Sequence, residues 1–228
     1  MKRAREHGWI IGELPTGRRN LITDVPGVSV GHATIAENGH NTGVTVIMPC
    51  QDNPFTSKLT AACHVLNGFG KTAGLMQMEE LGTLETPISL TNTLNVGLVH
   101  DAMVSYMIDL CERDGVPLRS VNPLVCECND ASLNDICNRS VRQEHVLQAI
   151  RSANADFALG AVGAGRGMTC HGLKGGIGSA SRLLTIGGQT YTLGVFTLTN
   201  HGRLNDLTIQ GKNIGRCIQQ QSATNFAA

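Results

Sequence analysis

Aromatic side chains are scarce in this sequence, at 4% of 228 residues with a single Trp, and neither sign of charge is in surplus. With so few large rings, the core must be filled by Leu, Ile, Val and small side chains. The 27 glycines allow backbone to approach backbone or a ligand closely. Eighteen basic residues balance eighteen acidic ones, which leaves no electrostatic footprint for nucleic acid or an anionic membrane. A neutral small molecule or peptide suits such a chain better. Long hydrophobic runs are missing too. After the basic opening from Met1 to Arg5, the apolar stretch Trp9 to Ile11 stops at Gly12 and Glu13, too short for a signal-peptide core. No run reaches the length of a membrane span.

What is present suffices for one large domain. A hydrophobic content of 41% over this length can bury a real core, and 1–228 is expected to fold as a single unit. The cysteines sit mostly inside apolar runs (Cys63, Cys111, Cys126, Cys170) with no export signal before them. Reduced thiols and a cytoplasmic location are therefore expected.

Residues 20–32 read as a strand, a turn at Pro26 and Gly27, and a second strand. Further strands are predicted at 42–48, 88–91, 123–127, 156–162 and 204–209, and a hairpin at 182–186 and 190–198 about Gly187 and Gly188. Helical patterns cover 57–69 and 74–81. A longer helix runs from a cap at Asn92 or Thr93 to about Asp114, with Val96, Val99, Met103, Met107 and Leu110 on one face. Ser140 and Gln143 form a capping-box pattern that opens a helix to about Ala153. Strands and helices intermix without strict alternation, so helices layered on mixed sheets are expected rather than a doubly wound parallel sheet. The polar, small residues 216–228 read as a flexible tail.

The glycine-rich stretch 160–182 misses the phosphate-loop spacing, and Met168 stands where G-x-G-x-x-G needs its last glycine, which disfavours a nucleotide site. Within it Cys170, His171, Ser179 and Ser181 are candidate nucleophile and base residues, though no G-x-S-x-G elbow frames either serine. Cys126, Cys128 and Cys137 lack a second Cys/His pair at finger-like spacing, so core packing is favoured over metal and no cofactor is expected. Glu127 ends an apolar strand and is followed by Asn129, Asp130, Asn134 and Asp135; it could bind a cationic group or lie in a solvated loop. Asn200 ends another strand. Its amide could donate to a developing oxyanion, but the residues alone favour a role in turn backbone.

Five segments in order, ITDVPGVSVGHATI (22–35), TGVTVIMP (42–49), PISLTNTLNVGLVHDA (87–102), GMTCHGLKGGIGSASR (167–182) and YTLGVFTLTNHG (191–202), resemble the DmpA-type L-aminopeptidase/D-esterase family, which includes the β-aminopeptidases. The resemblance covers nearly the whole chain. It implies an α/β fold of the α+β kind, an α-β-β-α sandwich similar to N-terminal-nucleophile hydrolases with different connectivity. It also implies a precursor that cuts itself before a Ser or Thr, which becomes the first residue of a smaller β chain. The family's Ala-Thr-Asp motif beyond the cut does not occur here, so on that resemblance this chain is the larger, α piece and ends at or near the cut, within or beside 216–228.

Carried over by motif, Asn200 matches the family's oxyanion-hole asparagine, and Glu127 the acidic residue that holds the substrate's free amino group, with Asn129 beside it in the pocket. Relatives commonly carry an aromatic residue near Asn129, in a Glu-x-Tyr/Trp-Asp-Gly pattern. Here the run is Glu127, Cys128, Asn129, Asp130, Ala131. The implied partners are the β chain and a small peptide or amino-acid amide, in a tetramer of αβ units. Acyl transfer, as in the distantly similar ornithine acetyltransferases, and a non-catalytic homologue are the two alternatives.

Overall fold

Four strands make the central sheet: β1 (Ser29–Ile35), β2 (Thr42–Met48), β3 (Ile88–Asn92) and β4 (Leu124–Cys128). They lie side by side in chain order, antiparallel except for the last pair. β3 and β4 run parallel because the connection between them is α2 (Val96–Arg113), which crosses over the sheet. The computed structural model describes residues 3–226.

Strand alternation sorts the core into two layers. Ala33, Ile35, Val44, Val46 and Val125 face α2 and α3 (Gln143–Arg151), where they meet Val99, Ala102, Met103, Val146 and Ala149. Met103 and Met107 are fully buried on α2, at the helical spacing the sequence predicts. Val30, Ile47 and Leu90 face the other way, with Phe196 and Leu198 packed on them. Those two belong to a long hairpin, β5 (Gly176–Ile186) and β6 (Gln189–Thr199), which turns at Gly187 and Gly188. The layers therefore run helices, sheet, hairpin. On the outer side of the hairpin Tyr191, Leu193 and Val195 are about half exposed.

Two glycines set the layer spacing. A Cβ on Gly31 would lie 1.9 Å from the Ala149 carbonyl oxygen, so α3 sits with backbone against β1. Gly163, at φ +51°, opens a turn whose N–H donates to Thr34 Oγ1 at 2.8 Å, and the next N–H, of Ala164, reaches Thr45 Oγ1 at 3.1 Å. The glycine-rich stretch is thus packed down onto β1 and β2.

Several elements differ from the sequence reading. Residues 22–24 form a 3-10 turn instead of a strand, because the Asp24 carboxylate accepts the N–H groups of Arg19 and Leu21 and curls the chain. The expected helix at 57–69 is absent. A two-residue strand, Leu59–Thr60, pairs with Thr83–Leu84, and Leu66 and Phe69 are 90% and 86% exposed, so no layer receives the face that would have stabilised a helix. At 156–162 an isolated bridge between Gly160 and Ile177 replaces the strand, since Gly160 turns left-handed at φ +84°. A 3-10 turn, Leu204–Asp206, occupies most of 204–209.

Ser140 does not cap α3: its hydroxyl bonds His40 Nδ1 at 2.9 Å. The helix begins at Gln143, with the Arg142 N–H donating to His145 Nδ1. The chain's end also departs from expectation. Where a loose tail over 216–228 was expected, α4 (Ile214–Phe226) forms, with the Arg216 N–H accepted by Asn213 Oδ1 at 2.9 Å and helix-favouring Gln and Ala along it. Residues 227 and 228 lie outside the described residues. α1 (Leu75–Leu81) matches the sequence reading within a residue.

Gly31→Ala should lower stability to urea unfolding by about 1–3 kcal/mol, because backbone and not a pliable side chain blocks the new methyl. Gly97→Ala, in α2 with nothing within 4 Å of its Cβ position, should be neutral or raise stability by roughly 0.5–1 kcal/mol.

Candidate active site

Three strands end at the same edge. β3 and β4, paired as parallel neighbours through Asn92 and Cys128, run out into Thr93 and Asn129. β6 runs out into Asn200. The Asn200 side chain closes the group, with Nδ2 donating to the Asn129 carbonyl oxygen at 3.1 Å. An Asn amide carries two N–H donors, so one remains for another acceptor. The carboxyl ends of strands are a recurrent place for ligand sites in α/β sheets.

Glu127 points to the opposite side of β4 from Cys126 and Cys128, toward the start of α2. Its Oε1 accepts the Lys71 N–H at 3.0 Å, and its Oε2 accepts the Thr93 hydroxyl in a short hydrogen bond. Two donors orient the carboxylate without using all of its lone pairs, which suits it to hold a cation. Asn129 keeps its own side chain local, Oδ1 accepting the Ala131 N–H at 2.9 Å, so it contributes its carbonyl to Asn200. Asn129 and Asn200 thus meet directly at the strand ends, and Glu127 lies two residues before Asn129 on β4 with its carboxylate turned to the α2 side.

The pattern of peptidase family S58 matches residues 20–226. This chain belongs to that family. Against the β-peptidyl aminopeptidase BapA of Sphingosinicella xenopeptidilytica, the S58 chain is 38% identical over 227 residues, 95% of this chain and 56% of the relative. It spans about half the length of the curated relatives it matches. Among solved structures, the PH0078 protein of Pyrococcus horikoshii OT3 superposes with TM-score 0.92 at 48% identity, covering 96% of this chain and 64% of that one. The L-aminopeptidase D-Ala-esterase/amidase of Ochrobactrum anthropi, a prototype for the serine aminopeptidases and a new variant among the Ntn hydrolase fold, superposes with TM-score 0.89 at 34% identity, covering 95% and 62%. The expected fold class is therefore the observed one.

The serine candidates, Cys126 and Cys128 fall into place as scaffold in the S58 chain. Ser179 Oγ accepts the Ile22 N–H at 2.7 Å and donates to the Val195 carbonyl at 2.8 Å. Ser181 Oγ accepts the Gly17 N–H at 3.1 Å and donates to Asp24 Oδ2 at 2.7 Å. Both hydroxyls tie the N-terminal segment to β5. A cleft of about 650 Å³ between that segment and β5, lined in part by Arg3, Trp9 and Arg182, holds none of the strand-end residues. Cys126 packs among the apolar residues between sheet and hairpin, and Cys128 Sγ donates to the Leu198 carbonyl at 3.5 Å. Burial, with the negative charge of Glu127, pushes the Cys126 thiol up to about 11 and the Cys128 thiol up to about 12.

Sequence reasoning missed three residues here. Thr93 and Lys71 hold Glu127 from positions 34 and 56 residues away, a distance no local motif reveals. His201 follows Asn200 and sits against Cys170 and His171. Lys174 keeps that neighbourhood in shape, its ammonium donating to the carbonyls of Gly165, Met168 and Gly175 at 3.1, 2.8 and 2.8 Å.

In the native protein near pH 8, iodoacetamide should label the exposed Cys137 and Cys217 well before Cys126 and Cys128, whose thiolate forms burial suppresses. Peptide mass mapping of a labelling time course checks this order.

Proposed function

We propose that these 228 residues are the larger, α part of a self-processed serine aminopeptidase that removes N-terminal residues from small peptides, amides or esters. The observation that carries the proposal is the 3.1 Å bond that fixes the Asn200 amide to the Asn129 carbonyl, two residues along β4 from the Glu127 carboxylate. A carboxylate that binds a free ammonium group and an amide that serves a developing oxyanion are the two recognition elements an aminopeptidase needs around its scissile bond.

The nucleophile in this reading is a Ser or Thr at the start of a β chain cut from the same precursor. Cleavage frees its α-amine, whose pKa of roughly 7.7–8 suits a general base for the adjacent hydroxyl. Attack gives an acyl-enzyme and releases the shortened product, and water then frees the N-terminal residue. Ser179 and Ser181, whose hydroxyls are already committed to the scaffold, agree with a nucleophile from elsewhere. The apolar outer face of the hairpin at Tyr191, Leu193 and Val195 gives a β chain a surface to pack on.

The names of the relatives support the reaction class: a β-peptidyl aminopeptidase and an L-aminopeptidase D-Ala-esterase/amidase. The run from Cys128 to Ala131 offers no aromatic wall beside Asn129, so the pocket is set by small polar groups. Eight free thiols agree with a cytoplasmic location. Among the described residues no helix is long and apolar enough to cross a membrane. The assembly we propose is a tetramer of αβ units.

Intact-mass analysis of the protein expressed from its whole gene should return two chains, the smaller beginning with Ser or Thr. A single uncut chain with full turnover would sink the reading. In the processed enzyme, Asn200→Ala should lower kcat by about 10²–10³-fold. Glu127→Gln should instead raise KM for substrates with a free amine and leave N-acetylated analogues little changed. An equal effect on both substrate types would refute the role given to Glu127.

A further inference from the structure

We propose that Cys170, His171 and His201 form a zinc site beside Asn200, and that zinc held there slows the hydrolase. The inhibitory half of this inference rests on the proposed function; the metal site does not. Each of the three residues offers a ligand atom within 4.8 Å of the other two. Cys170 Sγ lies 3.8 Å from His201 Nδ1. Zinc bonds of about 2.3 Å to sulfur and 2.0–2.1 Å to nitrogen at a tetrahedral angle span about 3.6 Å, so a shift of a few tenths of an ångström completes that edge. The imidazole rings of His171 and His201 stand edge to face with centroids 5.0 Å apart.

The surroundings are built as a ligand site would be. His171 Nδ1 is 3.0 Å from the Arg203 carbonyl oxygen, which must receive a proton from it. That fixes the tautomer and leaves the Nε2 lone pair for a metal, the arrangement that orients metal-binding histidines. The His171 N–H donates to the His201 carbonyl at 2.7 Å, so the two ligand segments are joined through backbone before any ion arrives. His171 turns the chain between the paired strands Thr169–Cys170 and Leu173–Lys174 at φ +53°. A Cβ on Gly202 would lie 2.4 Å from the His171 ring, so glycine there makes room for the imidazole.

One thiolate and two imidazoles suit a borderline-soft ion that accepts four-coordination, which favours zinc among the common divalent cations. Binding displaces one proton, from the Cys170 thiol, and leaves the fourth position for water. Cys128 stays outside the set, since its thiol is donated to Leu198. Because His201 follows Asn200, drawing His201 onto a metal also pulls the strand end whose amide is bonded to Asn129. The donor on which turnover depends is then displaced or held off the reacting carbonyl.

The test uses the processed enzyme, stripped by a chelator and titrated with Co²⁺ and then Zn²⁺. One equivalent of Co²⁺ per copy of this chain should give a thiolate-to-cobalt charge-transfer band with four-coordinate visible bands, and Zn²⁺ should bleach both. Cys170→Ser should lose the charge-transfer band, and it and His171→Asn, which tolerates the left-handed backbone, should each bind about 100-fold or more weakly. No stoichiometric binding by the wild type, or equal binding by both variants, overturns the site. Turnover should fall as zinc fills the site, recover with chelator, and stay insensitive in Cys170→Ser. Unchanged turnover at full occupancy overturns the inhibitory role. A metal-free enzyme with no aminopeptidase activity but an intact cobalt spectrum overturns the proposed function and the inhibition together, and leaves the metal site standing.

Discussion

The hydrogen bond from Asn200 to the Asn129 carbonyl joins two layers that the chain builds separately. Asn129 is fixed by the sheet, at the end of a strand paired in parallel with β3. Asn200 is fixed by the hairpin, which reaches the sheet only because Phe196 and Leu198 pack on Val30, Ile47 and Leu90. Loosen that apolar contact and the amide no longer has a fixed place relative to Glu127. A neutral hydrogen bond of this kind contributes about 1 kcal/mol net, far less than the buried side chains behind it. It aligns the site; the packing holds it.

How much of this could be read in the sequence depends on whether a residue's partner is near in the chain. The apolar face of α2 repeats with its own helical period, so Val99, Met103 and Met107 were legible without any knowledge of what covers them. The hairpin was legible for the same reason, with Gly187 and Gly188 between two β-branched runs. The missed helix at 57–69 failed because periodicity is a claim about a receiving surface, and Leu66 and Phe69 have none. Ser140 failed because a capping residue can be taken by another partner, here His40, 100 residues away.

The site was legible only through its likeness to a family. Glu127 and Asn200 are unremarkable singly: an acid ending a strand, an amide opening a turn. What marks them is a partner 34, 56 or 71 residues distant, information that spacing does not carry. The same holds in reverse for Ser179 and Ser181. A glycine-rich bed makes a serine look exposed and reactive, but each hydroxyl both accepts and donates within the scaffold, so its hydrogen is spent and its oxygen is immobile.

Directly after Asn129 the chain buries a carboxyl group completely, at Asp130. Burial pushes that carboxyl up from its ordinary range, and the bond from Asn134 to Oδ1 only partly offsets the effect, since Oδ2 is buried without a partner among the described residues. A fold selected for stability alone would place an apolar residue there, since burying an acid costs free energy that its partners must return. Asn134 shows what the arrangement gives in exchange. Its Nδ2 donates to Asp130 Oδ1 at 3.1 Å while its Oδ1 accepts the Asn41 N–H at 3.0 Å, so the loop that begins at Asn129 is tied to the start of β2 by directional bonds. Apolar packing would tolerate a sliding loop, whereas this network fixes the height of the Asn129 carbonyl and, through it, the position of Asn200. A polar core beneath the strand ends is consistent with a site where orientation matters more than local stability.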